Sequence, residues 1–256
     1  MKKYSLLATL CLLFAGLTQA APYDHVHLAA PSAEDAVNWY VKHFGGEAAR
    51  FMGSNDTSLA IDRVMYGKLA VIFAERESTG GSVGTGIDHF GFSMPNVANI
   101  VATVVADGGT QLGDLIEFGG MQIGFVEDPW GTKIELIDDA NLRGMHHLHL
   151  SSPDPEATLQ WYAKNFGGSS ETFAGALPGL NYGDIWLLVA QARGPIVPTQ
   201  GRSFDHLGWN FEDLDAGADV LKANGVKFSM EPRDYRNIRI SFAEGPDGVR
   251  IEIVQK

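Results

Sequence analysis

Two glutamates stand inside otherwise apolar strands. Glu135 lies between Ile134 and Leu136 in FVEDPWGTKIELID, residues 125–138, and Glu252 lies between Ile251 and Ile253 in FAEGPDGVRIEIVQ, residues 242–255. In each stretch a strand enters, a Pro and a Gly make a tight turn, and a second strand leaves. Side chains alternate along a strand, so the apolar neighbours turn each glutamate to the opposite face. Histidines obey the same parity. His25 and His27 oppose Val26 and Leu28, His147 and His149 oppose Leu148 and Leu150, His89 opposes Phe90 and Phe92, and His206 opposes Leu207 and Trp209. Helices covering the apolar faces leave His and Glu on the uncovered one. Each half of the chain then puts at least two imidazoles and one carboxylate on one sheet face, a donor set that suits a non-haem divalent metal with open positions. A lone strand histidine is ordinarily a hydrogen-bonded polar residue. Matched parity of the whole set in both halves points to metal instead. A register slip of two would exchange His25 for His27 and His147 for His149 on the same face.

The elements that must position these groups repeat at two levels. Asp24-His25-Val26-His27-Leu28, followed by Trp39-Tyr40 and Phe44-Gly45-Gly46, returns 122 residues later as His146-His147-Leu148-His149-Leu150, Trp161-Tyr162 and Phe166-Gly167-Gly168. Asp88-His89 and Glu135 return 117 residues on as Asp205-His206 and Glu252. The chain is thus a tandem duplication with domains at 21–140 and 141–256, each holding a weaker inner repeat. The unit reads strand, helix, three strands, four times over, an α+β pattern. Ser32 with Asp35, and Asp154 with Pro155, start the first helix of each half, and paired glycines end it. Val37, Tyr40, Val41 and Phe44 make one apolar stripe, matched by Leu159, Tyr162, Ala163 and Phe166; these aromatics are core. Second helices are expected from Asn96 to Asp107 and from Asp213 to Ala223, with strands near 57–64, 68–75, 110–117 and 121–127. His43, on the first helix, is expected at the surface, and by strand parity His146 lies on the apolar side without chemistry. Arg63, Tyr66, Asn181, Tyr182, Tyr235 and Arg239 are rim or pocket candidates.

Residues 1–20 read as a secretory signal peptide: Lys2 and Lys3, an apolar run from Leu6 to Leu17, and small residues at Ala20. Cys11, the only cysteine, falls within it, so disulfides, thiolate ligands and a cysteine nucleophile are excluded. A periplasmic or secreted protein is expected, with no membrane association after cleavage. The balance of 19 Lys and Arg against 31 Asp and Glu, net −12, argues against nucleic acid and anionic membranes. No phosphate loop, nucleophile elbow or zinc-protease motif is present.

These residues resemble the vicinal oxygen chelate superfamily, which includes glyoxalase I, extradiol dioxygenases and the bleomycin resistance proteins. FVEDPWGTKIELI is especially similar to the corresponding end of glyoxalase I. The resemblance covers the chain from residue 21 onward and implies paired βαβββ modules, each pair a cupped mixed sheet with helices on its outer face. It implies His25, His89 and Glu135 as metal ligands in the first half and His147, His206 and Glu252 in the second. Iron(II) or manganese(II) is favoured, with zinc and nickel next, and the partner is a small molecule with adjacent oxygens. Two departures bear on the reaction. Where glyoxalase I has a fourth, acidic ligand, alignment puts Phe73 and Val189; where extradiol enzymes carry a tyrosine ten residues before the glutamate, Phe125 and Phe242 stand. The expectation is an exported metal-dependent enzyme of dioxygenase or lyase/isomerase type, with one or both halves active. The alternative is a metal-independent binding or sequestering protein of the bleomycin-resistance kind.

Overall fold

The computed structural model describes residues 21–256; residues 1–20, expected to be a signal peptide, lie outside them. Four βαβββ modules follow one another. The first is β1 (Tyr23–Ala30), α1 (Ala33–Phe44), β2 (Glu47–Arg50), β3 (Ile61–Tyr66) and β4 (Leu69–Glu75). The second is β5 (Ile87–Ser93), α2 (Val97–Ala106), a broken strand β6 (Thr110–Gln111) and β7 (Ile116–Phe118), then β8 (Met121–Glu127) and β9 (Lys133–Ile137). The third is β10 (Gly144–Ser152), α3 (Pro155–Phe166), β11 (Ser169–Phe173), β12 (Leu177–Asn181) and β13 (Trp186–Gln191). The fourth is β14 (Phe204–Asn210), α4 (Leu214–Ala223), β15 (Lys227–Tyr235), β16 (Ile238–Glu244) and β17 (Arg250–Gln255). The strand expected from residue 57 starts later, because Asp56 accepts the backbone N–H of Ser58 at 2.9 Å and holds a turn there.

The sheets pair modules across the sequence halves. One eight-stranded sheet runs β15-β16-β17-β14-β1-β4-β3-β2, joining the fourth module to the first; the other runs β11-β12-β13-β10-β5-β9-β8-β6, joining the third to the second. At each seam the leading strands of two modules lie antiparallel, β1 on β14 and β10 on β5. Helices tie each half together instead. Trp39 Nε1 donates to the Asp107 carbonyl at 3.0 Å, linking α1 to the end of α2, and Asn224 bonds Asn165 at 3.0 Å, linking α4 to α3.

The helices form where their signals place them. Ser32 accepts the Asp35 N–H at 3.2 Å, Asp154 that of Ala157 at 3.1 Å, and Asp213 that of Ala216 at 3.0 Å, satisfying donors a helix start would otherwise leave orphaned. Val37, Tyr40, Phe44, Tyr162 and Phe166 are buried under the apolar sheet faces with Phe90, Phe92, Leu207 and Trp209. Among the described residues no helix is long and apolar enough to cross a membrane.

Candidate metal centres

Because the seams join modules from different halves, the six expected ligands regroup. His25 does not meet His89 and Glu135. It joins His206 and Glu252, while His147 joins His89 and Glu135, so each set draws on both halves. His27 and His149 complete the sets: the donor atoms of His25, His27, His206 and Glu252 lie within 4.8 Å of one another, as do those of His89, Glu135, His147 and His149. The two-residue ambiguity therefore resolves into inclusion of both histidines of each pair.

The local geometry rests on β-bulges at both seams. Pairing of β1 with β14 skips Asp24 on one strand and Asp205 on the other; pairing of β10 with β5 skips His146 and Asp88. A bulge breaks strict alternation, and the extra residue's side chain is re-aimed. Each bulged residue here precedes a candidate ligand and takes its Nδ1. Asp24 reaches His25 at 2.8 Å, Asp88 reaches His89 at 2.6 Å, Asp205 reaches His206 at 2.6 Å, and His146 Nδ1 lies 2.8 Å from His147 Nδ1. Parity assigns His146 to the apolar side; the bulge turns it to its neighbour instead. The signal lies in the dipeptides Asp-His, Asp-His, His-His and Asp-His at equivalent positions. Such outer partners fix ring orientation and raise ligand basicity.

On the far side of each ring the Nε2 atoms converge. His25 and His206 both lie 3.0 Å from Glu252 Oε2; His89 lies 3.0 Å and His147 3.4 Å from Glu135 Oε2. An imidazole that donates Nδ1–H to an aspartate presents a lone pair at Nε2. A lone pair 3.0 Å from a carboxylate needs a cation between them, either a proton or a metal ion. With protons there, burial opposes charge on His25, but its bonds to Asp24 and Glu252 prevail and lift it from 6.5 to about 9. Burial likewise opposes the ionised forms of Glu252 and Glu135, and their histidines nevertheless hold both well below the usual carboxylate range. Burial and the neighbouring imidazoles push His27 and His149 far down, so both rings are neutral donors. His147 Nε2 and His149 Nδ1 are buried without a hydrogen-bond partner among the described residues. Buried polar atoms are ordinarily satisfied, and this convergent set of imidazole and carboxylate donors fits a divalent metal.

The strands beside the ligands explain why no acid supplies a further donor among the described residues. β4 runs parallel to β1 with Ala70 opposite His25 and Ile72 opposite His27; β13 runs parallel to β10 with Trp186 opposite His147 and Leu188 opposite His149. Opposed residues share a face, so Ile72 and Leu188 flank the donors. Phe73, assigned there by alignment, points to the helix side, 5.0 Å from Tyr40, and Val189 packs against the same core. Phe125 and Phe242 pair directly with Glu135 and Glu252, and their rings stand against His89 at 5.5 Å and His206 at 5.1 Å.

The two centres differ in what covers them. Above His25, His27 and Glu252 lies a cavity of about 570 Å³ whose walls include Ala70, Ile72, Phe51 and Arg63. Above the second set Trp186 replaces Ala70, and Ile123, Ile137, Phe173 and Leu188 pack with Phe118, Met121 and Phe125 into an apolar cluster over that face. The outer partners differ too. Asp24 is held by Lys256 at 2.5 Å, whereas its counterpart His146 is held by Asp139 at 3.3 Å. Of the rim candidates, Arg63 and Tyr235 line the cavity; Tyr66 and Tyr182 pack inward on Phe92 and Trp209, and Arg239 pairs with Asp215 and Asp234 elsewhere. His43, expected at the surface, is buried and bonds Asp107 at 2.8 Å.

Two glycines make room for the rings. Gly208 faces His25 and Gly91 faces His147, and a Cβ at either would lie 2.2 Å from the imidazole Cε1. Gly208→Ala should therefore displace His25 and lower metal affinity at the open site about 10–100-fold, at a cost of about 1–3 kcal/mol for overpacking. Competition of the variant against a chromogenic chelator checks this; unchanged affinity would separate His25 from the metal.

Fold and donor sets together define a protein of paired βαβββ modules with two candidate metal centres. A model of the Glyoxalase/Bleomycin resistance protein/Dioxygenase superfamily matches residues 23–136 and again 144–253. The chain belongs to that superfamily. A curated relative, "Probable lactoylglutathione lyase, chloroplastic" of Arabidopsis thaliana, is 25% identical over 181 residues, covering 65% of this chain and 52% of the relative. The chain thus spans about half the length of the curated relative it matches. The crystal structure of glyoxalase I from Zea mays superposes with a TM-score of 0.72 at 19% identity, covering 92% of each chain. A crystal structure of a putative dioxygenase from Bacillus subtilis gives a TM-score of 0.64 at 15% identity, covering 93% of this chain and 86% of that one. These two structures speak to the fold.

Proposed function

We propose that this is an exported, divalent-metal-dependent enzyme of lyase or isomerase type, acting on a small molecule with adjacent oxygens at the centre formed by His25, His27, His206 and Glu252. The observation that carries this reading is the convergence of four donors, three of which, His25, His27 and Glu252, line an open cavity. Bound there, a divalent ion supplies Lewis-acid polarisation of the substrate oxygens. The chain's own residues do the rest. Asp24 and Asp205 hold the two imidazoles in the tautomer that leaves Nε2 free. The four side chains would hold the ion, and a substrate with two adjacent oxygens would complete its surroundings. Phe242 offers no O–H beside Glu252, so ring cleavage would lack a proton donor at that point. The likeness to a lactoylglutathione lyase supports the same direction, as does the glyoxalase-like fold. Iron(II) and manganese(II) are the preferred ions. Export rests on residues 1–20, and the mass of the native protein from a periplasmic fraction tests it.

The reaction class is tested with apo-protein reconstituted anaerobically with single metals. A panel of 2-hydroxy ketones, 2-oxo aldehydes and catechols is incubated in D₂O and followed by NMR, with oxygen uptake measured in parallel. Metal-dependent exchange or transfer of a substrate C–H proton without oxygen consumption is expected. Turnover that requires oxygen would replace this reading with the dioxygenase one, and tight binding without metal would replace it with a sequestering protein.

A further inference from the structure

The internal duplication supplies a comparison within one molecule, because each wall of the open cup has a counterpart in the filled one. The hairpin Tyr235-Arg236-Asn237-Ile238 corresponds to Phe118-Gly119-Gly120-Met121, with Tyr235 paired to Ile238 and Phe118 to Met121. Arg63 lies opposite Ile72, and in the other sheet Gly179 lies opposite Leu188. Phe51 and Phe173 occupy the same place after β2 and at the end of β11. At the open cup, then, two arginines stand where the filled cup has glycines, and Ala70 stands where it has Trp186.

The charges at this mouth leave one cation over. Arg63 is bound by Asp62 through two contacts of 2.8 and 2.9 Å, Lys256 by Asp24, and Glu252 by His25 and His206. Arg236 has no carboxylate partner among the described residues. Its guanidinium lies over Phe51 at 4.7 Å and Tyr235 at 5.6 Å, on the cavity that His25, His27 and Glu252 also line. Stacking on aromatic faces holds the guanidinium in place while its N–H groups remain available. A single uncompensated guanidinium at the mouth, apart from the donor set below, matches one anionic group there. A planar carboxylate is the anion its paired N–H donors fit.

We propose that the open cup selects a small carboxylate substrate, whose carboxylate pairs with Arg236 at the mouth while its adjacent oxygens face His25, His27, His206 and Glu252. This rests on the metal reading of that centre and adds the substrate class. Arg236 is a specificity-determining residue here, and the aromatic pair Phe51 and Tyr235 forms the wall along which the body of the substrate lies.

The test uses full-length mature protein loaded with manganese and two probes, 4-carboxybenzohydroxamate and its neutral carboxamide. Both carry the same pair of chelating oxygens, and calorimetry gives each Kd. The acid should bind about tenfold more tightly than the amide, as expected for one charge-assisted pair in a partly dry site. Arg236→Gln should bring that ratio close to one without changing manganese content or amide affinity, and Arg236→Lys should keep part of it. Equal affinity of acid and amide in wild type overturns the proposal, as does a preference that survives Arg236→Gln. If manganese binds and both probes bind equally, only the substrate class fails. If manganese does not bind, the centre itself fails, and the inference with it.

Discussion

Glu252→Gln should strip a bound metal from the open centre and leave the fold standing. Among the described residues its carboxylate is the only anion in that donor set. Its Oε2 faces two imidazole nitrogens at 3.0 Å each. Glutamine keeps the volume and can still hydrogen-bond, but it removes the charge that offsets a divalent cation among neutral rings. The expected loss of affinity is at least about 100-fold, beyond the 10–100-fold that outer partners alone account for. Glu135→Gln should do the same at the other centre, independently. Elemental analysis after dialysis should give two metal equivalents for wild type, one for each single variant and none for the double. Equal metal content in all four proteins would remove both carboxylates from the ligand sets.

Ala70→Trp should keep the metal and abolish turnover. Ala70 lies opposite His25, where the second sheet has Trp186 opposite His147, so the substitution copies into the open cup the side chain that helps fill the closed one. The cavity of about 570 Å³ has room for an indole, and the metal donors lie on other strands or beneath it. Turnover should fall by at least about 100-fold, since a substrate that cannot reach the donors gains none of their binding. Metal content should stay at the wild-type value. The reverse change, Trp186→Ala, removes a side chain that is only partly buried against the apolar cluster, and should cost about 1–3 kcal/mol. Full activity in Ala70→Trp would move the chemistry away from this cup.

Much of this is legible from residue order. Four strand-helix-strand modules, the caps at Ser32 and Asp154, and the common face of His25, His89, His147, His206, Glu135 and Glu252 all follow from residue type, period and parity, which are local properties. Which residues meet is not legible in the same way. Strand pairing between β1 and β14, and between β10 and β5, is a long-range choice that alternation along one strand does not contain, so residue order groups the ligands by half where the sheets join across halves. His146 defeats parity for a related reason. Parity assumes regular pleating, and the bulges that re-aim Asp24, Asp88, His146 and Asp205 are deviations from it. Phe73 misses the cup by one residue of alignment against the glyoxalase I pattern, enough to exchange the cup face for the core face. Arg236 escapes such a reading because a turn residue has no parity; its φ of 54° places it in the left-handed region, where side-chain direction is set by the hairpin rather than the strand.

Anomalous diffraction from crystals of the manganese-loaded protein, recorded near the manganese edge, would locate the ion among these side chains. A peak is expected within bonding distance of His25 Nε2, His206 Nε2, Glu252 and the ring of His27, beneath the cavity that Arg236 lines. A fully loaded crystal with no peak among those four side chains, or with manganese bound by His25 together with His89 and Glu135, would contradict it.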